Sequence, residues 1–412
     1  MANHRNYWFS TCPTRHTVSS GIVRNADVLI IGGGIAGMSL LYQLLQAGIT
    51  NVYLVEESTA GFHASGRSSG QLMLRGLKLF HELGEEDGAE YLDFIGENNR
   101  RFLNGLRNVA FDTDLCDSGG LRLAIDETEM EKLTLESEFI LKHRNIDCPL
   151  LTKKEIQVML SGSPFVGGMF VPSEATFNPY KVVNGIRELI EKKGSRVLTG
   201  CQVTGVEEDG KGLAVSIRHK GVIRAKQVVY CTNAYTPELL PELASVMTPY
   251  RGQMIATDLL SDSLASLMPA MSMTANDCNE YFRMHRGYLL LGGKRHAVRG
   301  QQKGIVDDGE VSPGVYDKLR GFVTETLPFL KDVKFSHTWS GIMCETPDGL
   351  PLIGRVPGKE NQFILGGLNG YGYGHALQGS MILKDIISTG TSQHSGVRLF
   401  DPARFLENTD DV

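Results

Sequence analysis

The chain of 412 residues has no pair of cysteines at metal-ligand or redox spacing. Its seven cysteines stand at 12, 116, 148, 201, 231, 278 and 344, an odd and scattered set. That argues against a disulfide framework or a cysteine-based metal site. It suits reduced thiols in a reducing compartment, so a cytoplasmic protein is expected. There is no basic run either. Lys and Arg number 41 against 47 Asp and Glu, a net charge of −6, which leaves no electrostatic footprint for nucleic acid or an anionic membrane. The first 25 residues are polar and aromatic without an apolar core, so they do not form a secretory signal. Repeats and low-complexity segments are missing. Charge is missing from Val28 to Val55, a length that could span a bilayer. Gly32-Gly33-Gly34, Gln43, Gln46, Gly48 and Asn51 interrupt that stretch, however, and it reads as strand, turn, helix, turn, strand, with no membrane span.

What the chain has in excess is glycine. There are 47, about 11% against an average of about 7%. Such an excess points to tight turns and close backbone approaches, as a nucleotide cofactor requires. Apolar residues at 42% and charged residues at 21% are ordinary for a globular protein. The length suggests two or three domains.

Val28-Leu29-Ile30-Ile31 is a fully apolar run ending in glycine, as expected of a strand buried in a parallel sheet. Ile35 to Ala47 reads as a buried helix, and Gly48 stands where a C-cap glycine belongs. Val52-Tyr53-Leu54-Val55 is the second strand, closed by Glu56. Together they make one βαβ unit. Helical patterns follow at 86–107, 128–143, 179–193 and 312–327; the third has Glu188 four residues before Lys192. Strands are expected within 197–231, 252–257, 281–284 and 288–293. Near the C-terminus the first pattern returns: strand Phe363-Ile364-Leu365, a glycine-rich turn from Gly366 to Gly374, and a helix from about His375 to Ile387. The first and last βα elements share one sheet in this reading. The more amphipathic strands between them form a second domain that interrupts the first in sequence.

The turn Gly32-Gly33-Gly34-Ile35-Ala36-Gly37 carries the strongest chemistry. It follows a predicted strand, opens a helix, and is followed by an acidic residue at the end of the next strand. Gly32 makes the turn, Gly34 admits a pyrophosphate, and Gly37 lets helix and strand pack closely. Free N–H groups at the helix start face the phosphates, and Glu56 accepts from a ribose. This much fits NAD(H) or FAD. Two later segments favour FAD. Ala64-Ser65-Gly66-Arg67-Ser68-Ser69-Gly70-Gln71 is a run of small residues around one arginine, suited to wrapping a pyrophosphate and a flavin ring. Gly366-Gly367-Leu368-Asn369-Gly370-Tyr371-Gly372-Tyr373-Gly374 aims a second helix N-terminus at negative charge on a reduced flavin.

With these motifs in place, the chain resembles the D-amino-acid oxidase and glycine/sarcosine oxidase family of FAD-dependent oxidoreductases over nearly its whole length. Trp339-Ser340-Gly341 and Thr346-Pro347-Asp348-Gly349-Leu350-Pro351-Leu352-Ile353-Gly354 add to the resemblance. Within the family it is most similar to the gamma-glutamylputrescine oxidoreductase branch, which shares the aromatic N-terminal extension and a Tyr281-Phe282-Arg283-type strand. The resemblance implies an α/β FAD-binding domain of the glutathione-reductase-like Rossmann type over 26–75, 166–236 and 337–395. An α+β substrate domain on a mostly antiparallel sheet is implied over 76–165 and 237–336. Residues 1–25 and 396–412 remain as an N-terminal extension and a C-terminal tail. Cofactor contacts are implied at Glu57, Val203, Asn233, Ala234 and Gly341, besides the turn, the Ser65–Gln71 loop, and Gly367 to Gly372. The implied reaction is oxidation of a C–N bond in a small amine or amino-acid derivative by hydride transfer to flavin N5, giving an imine that hydrolyses. The acceptor of the electrons is O2 or another carrier. Tyr281, Arg283 and His375 are the candidate catalytic residues.

Three departures shape the expected substrate and cofactor linkage. Glycine oxidase-like members carry a substrate-carboxylate arginine just after the Trp-x-Gly-x unit, where this chain has Met343. Sarcosine oxidase-like members use a lysine in the terminal glycine loop, where Gly374 stands. The usual carboxylate clamp is therefore absent, and Arg283 and Arg75 are the substitutes. Covalent attachment of the flavin uses a cysteine at the place of Gly341, so non-covalent FAD is expected and Cys344 reads as a core thiol. Leucines replace a lysine used with oxygen, with Lys294 nearby. Two other readings remain open: a D-amino-acid or 2-hydroxy-acid dehydrogenase on the same scaffold, and a non-catalytic FAD-binding subunit of a larger complex.

Overall fold

A computed structural model describes residues 3–12, 19, 21–194 and 196–405. The chain divides into two compact units, each assembled from three stretches. The first unit is Met1–Thr11, Arg67–Pro179 and Arg251–Ile342; the second is Cys12–Gly66, Tyr180–Tyr250 and Met343–Val412.

The second unit is built on a parallel sheet. Its strands lie in the order Val197–Thr199, Val52–Glu56, Asn25–Ile31, Gly221–Tyr230 and Gln362–Gly366. Ile30 stands opposite Leu54 on one side and Val229 on the other. Leu29 and Ile30 are both fully buried, because a strand inside a parallel sheet is covered on both faces. Helices Ile35–Gln46 and Gly372–Thr389 pack against each other. Strands Val203–Glu208 and Leu213–Ile217 extend this sheet in the antiparallel sense. In the second of them burial alternates, as period-two patterning requires. The charge-free stretch 28–55 resolves into strand, helix and strand. Among the described residues no helix is long and apolar enough to cross a membrane.

The first unit centres on a mixed sheet. Glu280–His285 pairs antiparallel with Tyr288–Gly293 and with Ser272–Ala275, and Gly120–Ala124 adds in parallel to Ser272–Ala275. One face buries Phe282, Leu289 and Leu291 against Ile156, Leu319 and Phe322 of helices Lys153–Met159 and Pro313–Thr326. Alternation then turns Tyr281, Arg283 and His285 to the opposite face. The polar N-terminal stretch enters this unit. Asn3–His4 pairs with His337 and Thr338 of strand Phe335–Glu345, Trp8 is fully buried, and Tyr7 Oη bonds to His285 Nδ1 at 2.8 Å. Helices at Glu85–Asn108, Glu127–Arg144 and Pro179–Glu191 occupy the segments whose periodicity predicts them.

Arg122 ties four parts of the first unit together. It donates to Glu136 on helix Glu127–Arg144, to Glu174 at 2.9 Å, and to the carbonyls of Leu74 and Arg75. All three charged side chains are buried. Removing one member of a buried ion pair leaves charge without a partner and costs about 3–5 kcal/mol. Burial pushes Glu136 up to about 7 even beside Arg122. Without the guanidinium its folded-state pKa rises further, while its unfolded value stays near ~4.3. The folded state then holds protons that the unfolded chain releases, so stability falls as pH rises through this window. Arg122→Met is expected to lose about 3–5 kcal/mol at pH 7 and less at pH 5. Urea melts of variant and wild type at both pH values check this; an equal loss at the two would contradict it.

Candidate functional site

The residues picked out in the sequence fall into two groups, one in each unit. In the second unit they gather at the carboxyl ends of the parallel strands. Gly32 continues strand Asn25–Ile31 with φ +111, and a Cβ there would lie 2.6 Å from the carbonyl oxygen of Cys231. At Gly37 a Cβ would come within 2.0 Å of the Gly32 carbonyl oxygen, so only glycine lets the helix sit this close to the turn. Gly34 is the helix N-cap and supplies no side-chain cap. The Ile35 N–H donates to Ser65 Oγ at 3.0 Å, while Ala36 is buried in the first turn.

Glu56 is buried at the end of its strand. Its carboxylate accepts from the N–H groups of Gly33 at 2.7 Å and Ser58 at 2.8 Å. Burial raises its pKa above the ordinary carboxylate value, and the two N–H donors oppose that rise. Glu57 turns outward and bonds to His63. Val203 begins the strand that follows Cys201, whose N–H donates to the Glu56 carbonyl.

The terminal glycine segment sits at the same edge. Asn233, in left-handed backbone beside buried Ala234, accepts from the Leu368 N–H at 3.2 Å. Asn369 Oδ1 accepts from the Thr346 N–H at 2.9 Å, and its Nδ2 donates to the Gly367 carbonyl. Gly367 and Gly370 have positive φ, and the Tyr250 hydroxyl lies 3.0 Å from where a Gly370 Cβ would be. Helix Gly372–Thr389 then starts, with Tyr371 as an N-cap that makes no side-chain cap. His375 is buried in its first turn rather than starting it, with its ring edge-on to Tyr371. Met343 Sδ lies 3.4 Å from the same Gly370 position.

In the first unit the small-residue loop is held by its carbonyls. Trp339 Nε1 donates to the Arg67 carbonyl at 2.7 Å, Trp8 Nε1 to that of Ser68 at 2.7 Å, and Arg283 Nη1 to that of Gly70 at 2.7 Å. Arg283 also donates to the Phe177 carbonyl at 2.8 Å and lies over the Trp8 ring. Burial pushes its guanidinium down to about 10. The Arg67 side chain binds the carbonyls of Ser340 and Asp308 and pairs with the Asp308 carboxylate at 3.6 Å. Gln71 Nε2 donates to Ser272 Oγ at 2.9 Å. Tyr281 packs over Gly292, where a Cβ would lie 2.2 Å from its ring; burial pushes its hydroxyl up to about 12. Gly341 lies on strand Phe335–Glu345.

Lys294 pairs with Glu280 at 3.3 Å and lies over the Phe322 ring, which belongs to the helix-covered face of the sheet. Cys344 is fully buried, and its thiol is pushed up to about 12 by burial, the state of an inert core thiol.

Trp8, Tyr250 and Asp308, which contact the predicted segments, carry no motif that marks them in the sequence. Tyr373 donates to the Ser65 carbonyl at 2.9 Å. The one available signal was the aromatic cluster Tyr7-Trp8-Phe9 within a polar stretch. Trp8→Phe keeps an aromatic ring but loses the indole N–H and part of its buried volume, leaving the Ser68 carbonyl without this donor. It is expected to cost about 1–3 kcal/mol, read as a lower urea midpoint with unchanged slope. A midpoint equal to wild type would show that this bond contributes nothing.

Comparison with known proteins agrees with this geometry. Residues 27–385 match the family described as FAD dependent oxidoreductase (DAO). The gamma-glutamylputrescine oxidoreductase of Escherichia coli K12 is 27% identical over 384 residues, covering 90% of this chain and 86% of that protein. Glycine oxidase from Geobacillus kaustophilus superposes with a TM-score of 0.76 at 20% identity, covering 92% of this chain and 98% of that one. L-proline dehydrogenase from P. horikoshii does so with a TM-score of 0.76 at 18% identity, covering 94% and 99%. The chain therefore belongs to the DAO family of FAD-dependent oxidoreductases.

Proposed function

We propose that this protein uses non-covalently bound FAD to oxidise a C–N bond in a small amine or amino-acid derivative. The observation that carries the cofactor assignment is the carboxyl edge of the parallel sheet. Two helix starts there have no N-cap side chain, and a buried Glu56 accepts from the Gly33 N–H of the turn. These residues fit a dinucleotide: amides at a helix start bind a pyrophosphate, and a buried carboxylate accepts from ribose hydroxyls.

In this reading Gly32, Gly34, Ile35, Ala36 and Gly37 hold the pyrophosphate, with Glu56 and Glu57 on the adenosine side. Val203, Asn233, Ala234 and the segment Gly367–Gly372 complete the cradle. Ser65 and Gly66 begin the covering loop, and we assign Arg67, Ser68, Gly70, Gln71 and Gly341 to the cofactor by continuity with it. FAD, when bound, supplies the two-electron acceptor for the hydride that leaves the substrate carbon. The protein positions, desolvates and tunes charge. The helix starting at Gly372, with His375 in its first turn, favours negative charge at its N-terminus. Arg283 acts here by fixing Gly70, and Tyr281 forms a wall of the substrate pocket. The amine assignment rests on the relatives' named activities and on Met343, a thioether where glycine oxidase-like members hold a carboxylate with arginine.

Two measurements test this. Anaerobic addition of a panel of amines, acylated diamines, amino acids and 2-hydroxy acids is expected to bleach the flavin band with amines or amino-acid derivatives. Bleaching by hydroxy acids alone would overturn the proposal, and a bound flavin that nothing reduces would point to a non-catalytic subunit. Glu56→Gln keeps one acceptor oxygen but sets an NH2 donor against either the Gly33 or the Ser58 N–H. Loss of a charged hydrogen bond worth about 1.5–3 kcal/mol is expected to weaken FAD binding to the apoprotein about 10- to 100-fold. Unchanged affinity on reconstitution would remove Glu56 from the site.

A further inference from the structure

The first unit contains a cavity of about 410 Å³ that none of the predicted cofactor or catalytic residues lines. Its floor holds buried Arg122, Glu129 and Glu136; Leu123, Leu133 and Leu135 form an apolar wall; Asp277, Lys78 and Lys132 stand at the exposed rim. A volume of this size lies in the range of small-molecule sites, about 300–1,000 Å³.

The floor has two unmet requirements. The first belongs to Arg122, which is only 2% exposed. Its Nη atoms donate to two carboxylates and two carbonyls, yet its Nε–H has no hydrogen-bond partner among the described residues. A buried donor of this kind calls for an acceptor atom. The second is charge. Against one buried guanidinium stand three buried carboxyls, Glu129, Glu136 and Glu174, with Asp277 more exposed at the edge, and burial raises the pKa of Glu129 and Glu136. The floor therefore has an excess of desolvated negative charge, which a cation would relieve. Asp277 is held there by an unusual turn: Asn276, Asp277 and Cys278 all have positive φ, and the Asp277 N–H donates to Glu129 at 2.9 Å.

An acceptor for Arg122 and a cation for the carboxylates must thus arrive together, with an apolar remainder against the leucines. We propose that this cavity is a second ligand site, which takes a small aliphatic α-amino acid. Its carboxylate accepts from Arg122 Nε, its ammonium pairs with Asp277 and Glu136, and its side chain packs on Leu123, Leu133 and Leu135. The inference does not rest on the cofactor assignment.

The test is calorimetry on the protein as isolated, with 1-aminocyclopentane-1-carboxylate as the probe. Its α-carbon bears no hydrogen, so it cannot be dehydrogenated. Saturable binding is expected, with cyclopentanecarboxylate and cyclopentylamine each at least about tenfold weaker, a difference of about 1.4 kcal/mol. Asp277→Asn removes the charge in a residue type that tolerates positive φ. Leu135→Trp fills the mouth from a half-exposed position. Each variant, at unchanged melting temperature, is expected to weaken the probe at least about tenfold. The proposal is overturned if millimolar probe gives no heat, if both folded variants bind it as wild type does, or if a single-charge analogue binds equally. Binding that shifts the flavin band and survives both variants places the probe at the cofactor and also overturns it.

Discussion

The loop from Ser65 to Gln71 cannot hold itself in place. It is made of small residues with a short helical turn at Ala64–Gly66 and a two-residue strand at Gln71–Leu72, so most of its carbonyls need donors from elsewhere. Tyr373 supplies one for Ser65, and Trp339, Trp8 and Arg283 supply those for Arg67, Ser68 and Gly70. Both tryptophans of the chain are spent on this one segment. Their indole N–H groups donate and cannot accept, so the bonds have a fixed sense. Arg283 adds a charged donor, and at Gly70 any Cβ would strike the Phe177 carbonyl at 2.2 Å. The loop is small because backbone must approach backbone, and it is rigid because distant side chains reach its carbonyls.

This division explains what could be read from the chain. The Gly32–Gly37 turn was legible because its determinants are local: an apolar strand, glycines at fixed offsets, and an acid at the end of the next strand. Its sharpest contact, Gly37 against the Gly32 carbonyl, spans five residues. The same contact recurs at Gly66, where a Cβ would lie 2.0 Å from the Gly61 carbonyl, and there too the spacing is five. The long helices were legible from their periodicity. The donors of the covering loop were not. Trp8 lies 60 residues from Ser68 and Arg283 lies 213 from Gly70, and no periodicity or spacing encodes such pairings. The N-terminal stretch read as a polar extension because, among its described residues, Tyr7 and Trp8 are the ones that are buried.

Arg283 shows how a residue's type can be read without its task. A lone arginine among Tyr281, Phe282 and Met284 suggests a buried cation awaiting an anion. Strand alternation does put it opposite the helix-covered core, beside Tyr281 and His285. Its Nη1 nevertheless meets two main-chain carbonyls, and its positive charge is carried without a carboxylate at hydrogen-bond distance among the described contacts. Burial lowers its pKa for that reason. The aromatic face of Trp8 supplies part of the compensation.

Three of the buried arginines bear on substrate choice. Arg67 is engaged by Asp308 and two carbonyls, Arg122 by two glutamates, and Arg283 by two carbonyls. Each already has partners within its own unit. At the position where glycine oxidase-like members hold a carboxylate with arginine, Met343 packs by its thioether against Gly370. Drawing Arg67, the Nη1 of Arg283 or the Nη atoms of Arg122 to a substrate carboxylate would strand a carbonyl or an acid that they now satisfy, at a cost of about 1–3 kcal/mol for each group left buried. A substrate recognised mainly through its amine and its apolar stem avoids that cost. The bonds these guanidiniums already make hold the scaffold, and the proposed amine specificity is the reading that leaves those bonds in place.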